Sequence, residues 1–332
     1  YDYFELQPGE TILSICSVTF SDKTEYFVAG TDPGRILIFQ VEKEGINYKI
    51  KLVYQKEVLG SVYSALAFDE KLLIGIDGKV SIFDFIRLED GKRDLIPICE
   101  YNGFTLAIQI VTRGHFILVG DIMRSIVLLA YKETGGGGGG KTLEFVTQDL
   151  NDRWINAIET LNDDEFICCE SQNNSILTFR RNVDTSDVLL KEKLDMVGIY
   201  NYGDSINRFR HGSLAANVSE PIINIESRVL FVTSSGAIGI IIPISQKQFD
   251  KLKKLQDAYQ KVVGFYGGLD IYSWRSVIDE ECEKAELRNF IDGDVIESLL
   301  DNPTKVIGDI GDSCDLSVNE IRKLVEELTR MH

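Results

Sequence analysis

The 332-residue sequence carries 35 Lys and Arg against 52 Asp and Glu, a net charge of −17, with 44% hydrophobic and 26% charged residues. That balance belongs to a folded chain and excludes general disorder, and the acidic excess disfavours DNA or RNA as a direct partner, because affinity for phosphate backbones comes largely from Lys and Arg. No apolar run nears the ~18 residues a membrane helix needs, and Tyr1-Asp2-Tyr3-Phe4-Glu5 has no signal-peptide character. With no initiating Met and a start in mid-pattern, the sequence is expected to be a piece of a longer chain.

Strand-like segments fill residues 1–244, and one hairpin recurs in them. Tyr26-Phe27-Val28-Ala29-Gly30 is followed by the turn Asp32-Pro33-Gly34 and then Ile36-Leu37-Ile38-Phe39. The pattern returns as Leu72-Leu73-Ile74-Gly75 with Val80-Ser81-Ile82-Phe83, and as Phe116-Ile117-Leu118-Val119-Gly120 with Ile126-Val127-Leu128-Leu129. Gly30, Gly75 and Gly120 stand 45 residues apart. Weaker copies lie at Phe166-Ile167-Cys168-Cys169 with Ile176-Leu177-Thr178-Phe179, and at Val229-Leu230-Phe231-Val232 with Ile238-Gly239-Ile240-Ile241. A strand repeat of about 40–45 residues is the mark of β-propeller blades, which stack because one four-stranded blade cannot cover both of its own faces. The alternative is a β-sandwich. A glycine at one place in every copy suits close packing, expected near the propeller axis. At about 45 residues per blade, residues 1–244 hold roughly 5.4 blades, so a ring of seven is incomplete here.

From Ser245 the pattern changes to helix. Ser245-Gln246-Lys247-Gln248 is a capping box, Phe249, Leu252, Leu255, Tyr259 and Val262 follow at helical spacing, and Gly264 is a natural stop. A shorter helix is expected from Asp294 through Leu300, and a second capping box, Ser317-Val318-Asn319-Glu320, leads into Ile321, Leu324, Val325 and Leu328. Residues 245–332 therefore read as a small helical domain.

Catalytic constellations are scarce, and no cofactor, metal or enzymatic activity is expected. His115, His211 and His332 have no metal-like partner at i+3 or i+4, and no nucleophile-elbow, zinc-protease or phosphate-loop motif occurs. Cys16, Cys99, Cys168, Cys169, Cys282 and Cys314 form no CxxC pair, which fits a reduced nuclear or cytosolic setting and makes the sequons at Asn173 and Asn217 chance matches. Asp163-Asp164-Glu165 and Asp279-Glu280-Glu281 read as solvated turns, and Asp292-Gly293-Asp294 lacks calcium-loop spacing. The six glycines Gly135 to Gly140 read as a flexible tip, native or engineered, since no Lys-Ser/Thr follows. What remains are interface-type side chains at turns: Arg124, Trp154 and Tyr63. Trp154 reads equally as a core aromatic, Arg124 as the partner of a nearby carboxylate, and Tyr63 as packing inside its blade.

The same segments carry a resemblance. Gly120-Asp121-Ile122-Met123-Arg124-Ser125, Trp154-Ile155-Asn156-Ala157-Ile158-Glu159, His211-Gly212-Ser213-Leu214, Phe290-Ile291-Asp292-Gly293-Asp294-Val295-Ile296-Glu297-Ser298 and Val325-Glu326-Glu327-Leu328-Thr329-Arg330-Met331-His332 resemble the large subunits of the damage-specific DNA-binding complex, the adaptor family of cullin-4 ubiquitin ligases. The tail separates the sequence from the related subunits of cleavage-and-polyadenylation and spliceosomal complexes. The resemblance implies a mainly β architecture: a WD-type seven-bladed propeller, the family's third and incomplete here, over 1–244, then a C-terminal helical domain over 245–332.

It also implies a nuclear and cytoplasmic scaffold whose first and third propellers form a pocket for substrate receptors that insert a helical segment. The second propeller, outside this sequence, would hold cullin-4, and the receptor would contact damaged DNA. Carried over by residue, the pocket wall is expected to include Arg124, Trp154, Tyr63, Asn207, Leu106 and Ile108. Ser205, Ser234 and Gln109 depart from the larger apolar side chains expected on such a wall. A more polar wall suggests another receptor set, an adaptor-like paralogue in a heterochromatin-directed ligase, or a receptor surface shifted along the face. An RNA-processing subunit is the competing class.

Overall fold

Continuous apolar runs demand burial on both faces of a strand, and the architecture supplies it by stacking sheets. The computed structural model describes residues 3–44, 47–89, 91–133, 140–212, 228–264, 266–278 and 284–330. The first sheet is β1 (Thr11–Thr19), β2 (Glu25–Asp32), β3 (Arg35–Glu44) and β4 (Asn47–Glu57), hydrogen-bonded in that order. The second is β5 (Val62–Phe68), β6 (Lys71–Ile76), β7 (Lys79–Arg87) and β8 (Arg93–Asn102), and the third is β9 (Ala107–Arg113), β10 (Phe116–Asp121), β11 (Ile126–Glu133) and β12 (Lys141–Gln148). The fourth is β13 (Ile155–Thr160), β14 (Glu165–Glu170), β15 (Ser175–Arg181) and β16 (Leu194–Asn201), with a short helix α1 (Val188–Lys191) before β16. The fifth has three strands, β17 (Ile206–His211), β18 (Val229–Thr233) and β19 (Ile238–Ile241). The chain is thus mainly β, with five propeller blades and a few helices. Five blades accord with the incomplete ring expected from this length of sequence, and a ring of seven is not present among the described residues.

The chain divides into two compact units, residues 1–164 with 181–195 and residues 165–180 with 196–332. In the first unit the leading strands of successive blades pack together, β1 on β5, β5 on β9 and β9 on β13. One core joins Val18, Val28, Ile36 and Ile38 to Val62, Leu72, Ile74 and Phe85; the next joins Leu73, Val80 and Ile82 to Ile110, Ile117, Val119 and Leu129. Alternate residues of β6 therefore serve two different cores, which is why the run Leu72-Leu73-Ile74 shows no polar alternation.

The repeating glycines explain the closeness of this stacking. They do not mark the axis-side strand: each lies on the second strand of its blade, where the next blade crosses. A Cβ at Gly30 would collide with Val62, one at Gly75 would sit 2.7 Å from the Ala107 carbonyl oxygen, and one at Gly120 would sit 3.0 Å from the Ile158 side chain. Beside these notches, the Ser14 hydroxyl donates to the Val62 carbonyl (2.9 Å), and buried Gln109 clasps the Ile158 backbone through both its oxygen and its nitrogen (3.1 and 3.3 Å). In the second unit, Cys169 holds the matching register position opposite Ile176, fully buried, and burial pushes its thiol up to about 11. Cys168 is also buried, while Cys16 and Cys99 are half-buried.

The remaining helices are α2 (Gln246–Val263), α3 (Ile271–Trp274), α4 (Gly293–Glu297), α5 (Thr304–Cys314) and α6 (Val318–Thr329). Both capping boxes form, with Ser245 and Gln248 closing the start of α2 and Ser317 and Glu320 that of α6. Gly264 ends α2 as expected, but Val262 is exposed and Ala258 and Gln256 take inward places instead. The helix expected from Asp294 to Leu300 begins one residue earlier and tightens into a 3-10 turn over Ser298–Asp301. Within the second unit, buried Asp292 ties helices to blade. It accepts from the Tyr200 hydroxyl (3.0 Å) and Arg275 Nε (2.7 Å), and the Arg275 guanidinium lies 4.7 Å over the Tyr200 ring. Asp279-Glu280-Glu281, Cys282, Asn217, His332 and the glycine run up to Gly139 lie outside the described residues.

Two predictions follow from this packing. Because a backbone oxygen cannot swing aside, Gly75→Ala is expected to cost about 1–3 kcal/mol. Gly120→Ala, facing a movable methyl, costs less; equal shifts of the urea midpoint for the two variants would contradict the notch assignment. The second concerns Glu10, which accepts from Arg35 Nε and Thr31 Oγ1 (both 2.7 Å) and ion-pairs with Arg35 Nη2. The Arg35 guanidinium holds the Glu10 carboxyl down to about 2, against an ordinary 4.5. A depressed acid stabilises above its unfolded value and loses that contribution as pH falls through its folded value. Wild type should therefore lose stability from about pH 4.5 towards pH 2, and Glu10→Gln, weaker at neutral pH, should show a flatter acid limb in pH-dependent unfolding.

Candidate partner-binding face

Hairpin turns and strand lead-ins gather at one end of the blades of the first unit, and backbone hydrogen bonds lock them together. The β10–β11 turn, Asp121 to Ser125, sits between the lead-in to β9 and the lead-in to β13. Ile122 N–H donates to the Leu106 carbonyl (3.2 Å), and Ser125 N–H donates to the Arg153 carbonyl (3.0 Å). Arg124 Nη1 donates to the Gly103 carbonyl (3.4 Å). Leu106, Arg124 and Trp154 are thereby brought to one place from three separate segments.

Two buried carboxylates organise these segments. Asp121 is 0% exposed and Asp149 5%. Oδ1 of Asp121 accepts from the N–H groups of Met123 (2.8 Å) and Arg124 (3.1 Å), closing its own turn, while Oδ2 accepts from Thr105 N–H (2.5 Å) in the β9 lead-in. Asp149 divides its oxygens the same way: Oδ1 takes the backbone and side-chain nitrogens of Asn151 (3.2 and 3.1 Å), and Oδ2 takes the Ser125 hydroxyl (2.8 Å) and Arg153 Nε (3.1 Å). Blade two repeats the device, with Asp77 Oδ1 accepting from Ser61 N–H (3.0 Å), sixteen residues back as in the Asp121–Thr105 pair. Asp32 holds the Ser61 hydroxyl (2.7 Å), so the lead-in to Tyr63 is pinned from two sides.

What the pinned loops display is apolar and cationic. Trp154 is 46% exposed, a surface aromatic, and Arg124 is exposed with its guanidinium donating to the Gly103 carbonyl. Tyr63, Leu106 and Ile108 are half-buried at the rim. Asn207, exposed on β17, belongs to the second unit. Among the expected departures, Gln109 is no part of an open wall, since it is the buried clasp described above; Ser205 is half-buried and Ser234 exposed in the second unit, where both surround Asp204. Hydroxyls of Ser235, Thr233 and Ser234 hold the Asp204 carboxyl well below the usual range.

Three exposed apolar residues on the same lead-ins and turn escape a sequence reading: Leu59 (93%), Met123 (45%) and Leu150 (61%). Their signal is an apolar side chain set among turn residues, as in Leu59-Gly60 and Leu150-Asn151, where no core is within reach. Among the described residues no group of three His, Cys, Asp or Glu is placed to hold a metal ion, and no helix is long and apolar enough to cross a membrane. The arrangement offers adhesion by shape: apolar area, one guanidinium, and backbone held still.

Residues 1–301 match the family described as CPSF A subunit region. The chain is 40% identical over 341 residues to DNA damage-binding protein 1a of Arabidopsis thaliana and 40% identical to protein 1b of the same plant, and 36% identical over 340 residues to DNA damage-binding protein 1 of Oryza sativa subsp. japonica. These alignments take in 99–100% of this chain and 30% of each relative, so the chain spans under a third of their length. With most of its length matched, the chain belongs to the CPSF A subunit region family, among relatives named DNA damage-binding protein 1.

Proposed function

We propose that this chain is the receptor-gripping part of a non-enzymatic adaptor in a cullin-4-type ubiquitin ligase, working in the nucleus and cytoplasm in DNA repair, replication or chromatin control. The observation that supports it best is the set of exposed Trp154, Met123 and Arg124 on loops tied by buried carboxylates. A helix docking there would bury an apolar stripe against Trp154, Leu106 and Ile108, with Arg124 donating to polar or backbone groups of the incoming segment. Tyr63 would extend the same wall. Trp and Arg are the side chains that most often dominate such interfaces. In this reading cullin-4 is held by a propeller elsewhere in the full-length protein, and damaged DNA is contacted by the receptor. The net charge of −17 supports that division of labour, since a polyanion is repelled by this surface at long range.

The test uses the full-length protein with Arg124→Ala and Trp154→Ala combined. One lost anchor typically costs about 2 kcal/mol, roughly thirtyfold in affinity, so the double variant should retain almost no receptor in quantitative pull-down. Both side chains are exposed, so the melting temperature should hardly move. Undiminished receptor retention would remove the assignment.

A further inference from the structure

We propose that Asp121, Asp149 and Ser125 are positioning residues of this face, setting the spacing of Leu106, Arg124 and Trp154 without touching the partner themselves. The inference rests on the reading of the face given above and adds what fixes its geometry. Each carboxylate spends one oxygen on its own loop and the other on a neighbouring segment. Oδ2 of Asp121 reaches Thr105, the residue before Leu106; Oδ2 of Asp149 reaches both Ser125, the residue after Arg124, and Arg153, the residue before Trp154. Leu106, Arg124 and Trp154 thus each have a next-door neighbour bound to one of two fixed oxygens. All three tying groups are buried, with Ser125 at 0% exposure. Ser125 also adopts a left-handed backbone conformation, φ +64°, which a residue with a Cβ tolerates poorly. A glycine would satisfy that backbone more easily, so what serine adds there is its hydroxyl bond to Asp149.

This separates positioning from stability. Ser125→Gly keeps the backbone bond to the Arg153 carbonyl and leaves Arg153 on Asp149, but removes the hydroxyl tie between the Arg124 turn and Asp149, and relief of the left-handed backbone offsets the hydrogen bond lost. Asp121→Asn retains one carbonyl oxygen, enough for the turn or for Thr105 but not both, because an NH2 group cannot accept. The experiment measures, on the full-length protein, retention of the receptors captured by wild type, retention of cullin-4, and melting temperature. For Ser125→Gly the expected result is a receptor affinity at least fivefold weaker, with melting temperature unchanged or raised and cullin-4 retention intact. Asp121→Asn should weaken receptor binding similarly, and hydrogen exchange at Thr105 or at Met123 and Arg124 should quicken in step. Wild-type receptor affinity in Ser125→Gly, alongside loss in the Arg124→Ala, Trp154→Ala variant, would overturn the positioning role while leaving the face intact. Full retention in all variants would overturn the reading of the face itself. If Asp121→Asn fails to fold, the Ser125→Gly comparison still decides.

Discussion

The first unit depends on one close approach: the first strand of each following blade crosses the second strand of the blade before it at a glycine. A hydrogen in place of a side chain lets backbone meet backbone at Gly75 and Ala107, and lets aliphatic side chains seat directly on the strand at Gly30 and Gly120. A sheet that lies between two others then has both faces covered, and its middle strands are free to be apolar throughout. The contrast is visible on the first blade. Ile15, paired with Ala29 on the face away from blade two, is 69% exposed, while Ile110, paired with Val119 in blade three, is buried.

Close stacking has a consequence for the loops. Strand lead-ins and hairpin turns from neighbouring positions converge at one end, and their backbone groups need partners that water cannot always reach. Aspartates answer this need at Asp77, Asp121 and Asp149, the last two buried, and the outcome is a set of loops tied to one another by their backbones. A partner binding there loses less in ordering the surface than it would on mobile loops, which is the advantage of a preorganised site. In the proposed function Trp154 and Arg124 would gain from that fixed backbone as much as from their chemistry.

Much of this was legible in the sequence, for identifiable reasons. The 45-residue return of Gly30, Gly75 and Gly120 and the paired apolar runs gave away the blades, and two capping boxes located the starts of α2 and α6. The role of the glycines was harder, since a period tells that they are equivalent and not which strand they face. Gln109 looked like a polar intruder on a wall because a side chain that clasps a neighbouring backbone has no signature in one dimension. Leu59, Met123 and Leu150 escaped notice because an apolar residue beside a turn reads as a strand end until its exposure is known. Helix α5 was missed because Thr304–Cys314 begins after Pro303 without a side-chain cap and contains two glycines.

In the proposed function Trp154 faces a partner's helix. Its most direct test is to place a photo-crosslinking amino acid at position 154 of the full-length protein and map the adducts by mass spectrometry. The account predicts adducts within one helical segment of a bound receptor, spaced three or four residues apart. Adducts confined to the protein's own chain, or scattered over unrelated proteins without helical periodicity, would contradict it.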